Sequence, residues 1–180
     1  MNEKEATGVY SDRESPAGTG VIASLIADLA SEDGITRVRA RRALADIGHT
    51  AVGPLVEALT SKKEWVRWEA AKTLAQIGDP AATRTLIDAL SNSEFEIRWL
   101  AAEGLIHIGD RAIRPLLKEL IGNSDSLFIR EGAHHILRDL PETRYREILT
   151  PVLHALEDVE PSLEVAVAAK AALNAINKGN

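Results

Sequence analysis

The residues that could do chemistry in this chain are few and scattered. His49, His107 and His154 stand singly, while His134 and His135 are adjacent. Neighbours on a helix point about 100° apart, so this pair lacks the i, i+4 spacing by which two imidazoles share one metal. His134 is expected between helices and His135 toward solvent. There is no cysteine, which removes disulfides, thiolate metal sites and a thiol nucleophile. No Gly-rich phosphate loop, G-x-S-x-G elbow or H-E-x-x-H motif occurs. The run Arg37-Val38-Arg39-Ala40-Arg41-Arg42 is basic, but its members spread around a helix, as a solvated or pairing face would. No catalytic residue, cofactor or metal is expected. What remains is recognition chemistry, carried by Trp68 and Trp99, and the elements that must position them follow from the repetition of the chain.

LIADL at 25–29 recurs as LVEAL at 55–59, LIDAL at 86–90, LLKEL at 116–120 and VLHAL at 152–156. The first residues are spaced by 30, 31, 30 and 36 positions. Each copy is followed by a second apolar block. ITRVRARRALADIG ends at Gly48, WVRWEAAKTLAQIG at Gly78 and EIRWLAAEGLIHIG at Gly109, and two weaker copies are FIREGAHHILRDLP and EVAVAAKAALNAIN. Two apolar blocks in about thirty residues mean two short helices per repeat. Val66, Ala70, Leu74 and Ile77 form one stripe at 100° per residue, as do Ile97, Ala101, Leu105 and Ile108. Ser61-x-x-Glu64 and Ser91-x-x-Glu94 have the form of capping boxes. Gly48, Gly78 and Gly109 fall where a helix ends at positive φ. Asp79-Pro80 reads as N-cap and first helical residue, and Pro54, Pro115 and Pro151 fall in or near the first turns of first helices.

The pattern V-R-x-x-A-A-x-x-L-x-x-I-G-D-x-x-A, seen in VRWEAAKTLAQIGDPAA and IRWLAAEGLIHIGDRAI, resembles the HEAT-like repeats of phycobilisome lyase subunits. The resemblance implies an all-α, right-handed superhelix of about five helix pairs, with first helices convex and second helices lining a concave wall. It spans residues 21–177, with repeats at about 21–48, 49–78, 79–109, 110–141 and 142–177. Residues 1–20 are expected as a leader and 178–180 as a tail. Deoxyhypusine hydroxylases, a HEAT-like enzyme class, bind iron through His-Glu pairs in the second helix. The comparable dipeptides here are Trp68-Glu69, Trp99-Leu100 and Glu131-Gly132, and no His-Glu pair exists in the chain, so that chemistry has no ligands.

Packing needs explain most of the repeat. Ala70-Ala71 and Ala101-Ala102 allow close helix approach. Arg37, Arg67, Arg98 and Arg130 recur at one position, as an inter-repeat ladder pairing with carboxylates or helix-end carbonyls of a neighbouring repeat. Trp68 lies about 170° from the core stripe, and Trp99 holds the same place one repeat on. The equivalents in repeats one and four are Val38 and Glu131. Beside this row stand Arg42, Lys72, Glu103 and His135, with Ile106 one further turn along. A large apolar residue off the core side is informative where a buried leucine is not, and tryptophan is over-used at binding hot spots. The alternative is that each indole lies flat against the neighbouring repeat.

The chain carries a net charge of −6 with 45% apolar and 4% aromatic residues, which disfavours nonspecific nucleic-acid binding. No run reaches the roughly 18 apolar residues of a membrane span, and no signal peptide is visible, so a cytoplasmic location is expected. These readings converge on a non-enzymatic scaffold that binds a partner protein or peptide in its groove, as a monomer, with self-association conceivable only through the alanine-rich final helix. A bilin lyase-like or chaperone-like accessory handling a tetrapyrrole is the alternative, since Trp68, Trp99, Lys72 and Arg42 could stack on the rings and pair with propionates.

Overall fold

The computed structural model describes residues 16–140, 143–158 and 161–179. Among the described residues ten α-helices make five consecutive pairs: α1 (Pro16–Asp28) with α2 (Gly34–Ile47), α3 (Val52–Ala58) with α4 (Glu64–Ile77), α5 (Thr83–Ala89) with α6 (Phe95–Ile108), α7 (Asp110–Gly122) with α8 (Leu127–Asp139), and α9 (Arg146–Glu157) with α10 (Pro161–Lys178). Short 3-10 turns, Gly48–Ala51 and Pro80–Ala82, lead into α3 and α5. Among the described residues there is no strand. Helix α1 begins at Pro16, inside the stretch 1–20 expected as a leader; residues 1–15 lie outside the described residues.

The boundaries have local causes. Asp33 caps α2 by accepting hydrogen bonds from the amides of Ile35 and Thr36. Asp79 accepts one from Ala81, 2.7 Å away, with Pro80 next in line, as the sequence indicates. Gly48, Gly78 and Gly109 all have positive φ, which a glycine adopts without a Cβ clash, and there the chain turns back toward the next first helix. The two capping boxes do not form. The helices start at Glu64 and Phe95, with Lys63 and Glu94 as N-caps and no side-chain cap. Ser61 lies too far upstream, where its hydroxyl accepts from the Lys63 amide inside the loop. In the next repeat Asn92 accepts from the Glu94 amide, and the Glu94 carboxylate is drawn to Arg67.

One apolar core runs the length of the array. Leu29, Leu44, Leu55, Leu74, Leu86, Leu90, Leu105, Leu116, Leu117, Leu120 and Leu137 are fully buried in it. Each contributes about 1.5–3 kcal/mol by leaving water. Ala70, Ala71, Ala101 and Ala102 are buried as the pattern requires. The second helices stack in sequence, α2 on α4, α4 on α6 and α6 on α8, and the first helices form the layer behind them.

The fifth pair breaks this order. α9 packs on α8, and α10 packs on α7, so the first helix of the pair continues the second-helix layer and the second joins the other layer. The cause is visible at the end of α8. Leu140, with φ −53 and ψ 123, stands where earlier repeats carry a positive-φ glycine, so the chain leaves extended instead of folding back. Arg146 then donates to the carbonyls of Leu137 and Leu140, Thr143 donates to Asp110, and Tyr145 is buried. The weak fifth copy and its longer spacing are the sequence trace of this exchange.

Candidate functional site

The ladder arginines are half-buried, and their main partners are local. Each donates to the carbonyl six residues earlier, in the loop of its own repeat: Arg37 to Ser31, Arg67 to Ser61, Arg98 to Asn92 and Arg130 to Ser124, at 2.7–2.9 Å. The expected partners in a neighbouring repeat exist for two of them. Arg67 donates through Nε and Nη2 to Glu94. Arg37 lies 3.7 Å from Glu69, whose other oxygen is 3.4 Å from Arg41. Glu69 is 4% exposed, a buried carboxylate held between two guanidinium groups of α2. Arg98 reaches across to α8 with a ring instead of a carboxylate, its guanidinium 4.0 Å from the centre of Phe128 and 5.6 Å from that of Phe95.

Five aromatic side chains line the outer face of α4, α6 and α8. Trp99 is 47% exposed, Trp65 41% and Phe95 60%; Phe128 is exposed too, and Trp68 is half-buried. Neither Trp68 nor Trp99 is lost between layers. Phe95 and Trp99 lie 6.4 Å apart, centre to centre. Three clefts follow one another along this face. One of about 250 Å³ lies among Trp65, Trp68, Glu64 and Glu96. A second, of about 390 Å³, is bounded by Trp68, Phe95, Glu96, Trp99 and Leu100. A third, of about 340 Å³, lies between Phe95, Arg98 and Trp99 on α6 and Phe128, Glu131 and His135 on α8.

His135 does not face solvent. Its ring stacks on Trp99 at 4.4 Å, with Nε2 3.0 Å from Glu103 and Nδ1 3.0 Å from Asp139. The Asp139 carboxyl is pushed down to about 2, first by its hydrogen bond from Arg138, with that cation's charge and those of His135 and His134 adding to it. His134 lies between helices as expected, 3.3 Å from Glu157 of α9. Lys72 sits over the Trp68 ring at 4.4 Å, a cation–π contact. The structure thus gathers Trp68, Lys72, Trp99, Glu103, Glu131 and His135 on one face. It does not gather the rest. Ile106 is half-buried against the core. Val38 is half-buried and Arg42 exposed, and neither lines the clefts around the tryptophans.

Trp65, Phe95, Phe128 and Arg98 belong to this face although the sequence reading left them out. A signal was available, because Trp65 precedes Trp68 by three residues and Phe95 precedes Trp99 by four, the spacing that puts helix side chains on one side. The basic run Arg37–Arg42 resolves into pairing and solvated groups, with Arg37 and Arg41 on Glu69. Among the described residues no group of three His, Asp or Glu side chains is placed to hold a metal ion, and no helix is long and apolar enough to cross a membrane.

Residues 22–95 and 83–171 match the sequence pattern of HEAT repeats. The chain belongs to the HEAT-repeat family. No curated protein sequence matches this HEAT-repeat protein. Among solved structures it is similar to a chain in the complex of CpcE and CpcF of phycocyanin lyase from Nostoc sp. PCC7120. The likeness is 26% identity over 86% of this chain and 98% of that one, with a TM-score of 0.51. An engineered protein is similar at 24% identity over 91% of this chain and 82% of that one, TM-score 0.44. A designed armadillo repeat protein is similar at 18% identity over 87% and 100%, TM-score 0.42.

Proposed function

We propose that this HEAT-repeat protein is a non-catalytic scaffold that binds a segment of a partner protein along the outer face of α4, α6 and α8. The observation that carries the reading is the row of Trp65, Trp68, Phe95, Trp99 and Phe128, spread over three consecutive second helices and left accessible by the packing of the array. A soluble domain leaves large aromatic rings clustered at its surface where contact is made, because such a patch otherwise costs solubility. Val38, Arg42 and Ile106 are peripheral to this surface; Lys72, Glu103, Glu131 and His135 set its polarity and hold its rings. The two-protein complex to which the chain is similar supports a protein as the occupant.

The test is a pull-down from native extract with the wild-type chain and the Trp68→Ala/Trp99→Ala variant, both checked for helical content. A partner recovered by the wild type and lost by the variant supports the groove; equal recovery refutes it. The second reading, handling of a tetrapyrrole, is favoured by the likeness to a phycocyanin lyase structure. It predicts a shift of bilin absorbance on mixing that the same double substitution abolishes.

A further inference from the structure

The central cleft is different in charge from its neighbours. Its five lining residues, Trp68, Phe95, Glu96, Trp99 and Leu100, include three aromatic rings, one carboxylate and no cation. His135 covers the face of Trp99 turned toward α8, which leaves the opposite face to the cleft shared with Trp68 of α4. Glu96 also lines the adjoining cleft with Glu64, Trp65 and Trp68. The other two acids there are used by the fold, Glu69 by Arg37 and Arg41 and Glu94 by Arg67. Among the described residues Glu64 and Glu96 have no ion-pair partner.

Both stand in the first turn of a helix, where the helix dipole favours an acid. That is a structural reason for their presence, but it does not neutralise them. A helix N-terminus carries roughly half an elementary charge against the full charge of a carboxylate, so Glu96 remains available to a cation in the cleft. The rings add to the same preference, since an aromatic face attracts a cation. The chain already uses its rings in this way, with Lys63 over Trp65 at 5.2 Å and Arg98 over Phe128, and two rings of the cleft itself each have a cation beside them, Lys72 4.4 Å from Trp68 and Arg98 5.6 Å from Phe95. The volume of about 390 Å³ equals the liquid volume of about a dozen waters, at roughly 30 Å³ each, and admits a long side chain.

We infer that the cleft bounded by Trp68, Phe95, Trp99 and Glu96 is a receptor for an arginine side chain of the bound segment. A guanidinium is planar, stacks on aromatic faces and presents a fork that a carboxylate accepts with both oxygens, whereas an ammonium is a hydrated point charge. The net charge of −6 on the chain favours encounter with a basic segment over an acidic one. The inference rests on the groove reading above and specifies its occupant.

The chain has only three tryptophans, so a ¹H–¹⁵N spectrum shows three indole signals, assignable by single Trp→Phe changes. The probe is a nine-residue peptide of glycine, serine and alanine with one central arginine. Its comparators carry citrulline, which is neutral and nearly isosteric, or lysine. The arginine peptide is expected to shift the Trp68 and Trp99 signals saturably, with citrulline weakening binding about tenfold and lysine less. The tenfold corresponds to about 1.4 kcal/mol, the size of two exposed cation–π contacts. Glu96→Gln, at a solvent-exposed position, should weaken the arginine peptide several-fold while lowering the melting temperature only slightly, through the lost charge at the start of α6. Citrulline binding as well as arginine, lysine surpassing it, an indifferent Glu96→Gln or no saturable shift each overturn the inference. If that happens while Trp68→Ala/Trp99→Ala still loses its partner, the groove stands and only its arginine occupant falls.

Discussion

Gly104 offers a test of the packing that sets the width of the aromatic face. It lies on α6, facing Ala75 of α4 and Leu86 of α5. A Cβ built there would stand 2.8 Å from Leu86 Cδ1 and 3.2 Å from the Ala75 Cα. The Ala75 contact is main chain and cannot step aside without moving a helix, and the Leu86 methyl, although the end of a side chain, must turn within a fully buried environment. Overpacking of this kind costs about 1–3 kcal/mol. Replacing a helical glycine by alanine returns about 0.5–1 kcal/mol in chain entropy. The contact wins, and Gly104→Ala should destabilise the protein by about 1 kcal/mol. With a urea slope of about 2 kcal/mol/M, the midpoint falls by about 0.5 M. Gly20→Ala, inside α1 and followed by Val21 with no proline next to it, supplies the control. Nothing lies within 4 Å of its added methyl, so only the entropy gain remains and the midpoint should rise. Gly132→Ala, which meets only side-chain carbons of Leu90 at 3.0 Å and beyond, should fall between the two. Urea unfolding followed by circular dichroism reads all three, and equal slopes check that the transitions are comparable. A Gly104→Ala midpoint at or above wild type would refute the close approach of α4 and α6, and with it the spacing at which Trp68 and Trp99 share a cleft.

Glu69→Ala should cost about 3 kcal/mol in urea unfolding, because it strands the largely buried guanidinium of Arg41. Glu69→Met with Arg41→Met should recover most of that loss, and a single substitution no more harmful than the pair would contradict the assignment. Asp79→Ala should cost about 1 kcal/mol through the lost cap at Ala81. The Ala81 amide first, then His49, holds the Asp79 carboxyl below its ordinary value against the opposing effect of burial. A depressed folded value means that this contribution is complete above the ordinary carboxylate range and disappears as pH falls through the folded value. The wild-type advantage over Asp79→Ala should therefore be present at neutral pH and shrink in the acid limb; an advantage that does not shrink would count against the cap as its source.

The array was legible in the sequence because periodicity and packing obey the same rule. The stripe Ile97, Ala101, Leu105, Ile108 is buried since only that stripe can meet the neighbouring helices. The glycines at 48, 78 and 109 mark helix ends because a positive φ admits little else. What escaped was relational. Ser61 and Glu64 have the spacing of a capping box, but which residue caps depends on where the helix begins, and Arg67 competes for the carboxylate in the next loop. His135 faces outward on a helical wheel, yet a wheel of one helix does not show that Trp99 of the preceding repeat covers it. Trp68 and Trp99 were found by being apolar on the polar side. Phe128 carries no mark in the sequence, and Arg98 reads there only as a ladder residue, because their meeting is a contact between repeats, which no single repeat displays.

The exchange of layers at α9 and α10 has a consequence for parity. In a regular solenoid each first helix lies on the previous first helix and each second helix on the previous second. In the fifth pair α10 lies against α7 and α9 against α8, so the odd and even helices trade places. A single backbone turn therefore decides which face of the array a helix serves, and here that turn is the extended exit at Leu140, where the earlier repeats have a positive-φ glycine.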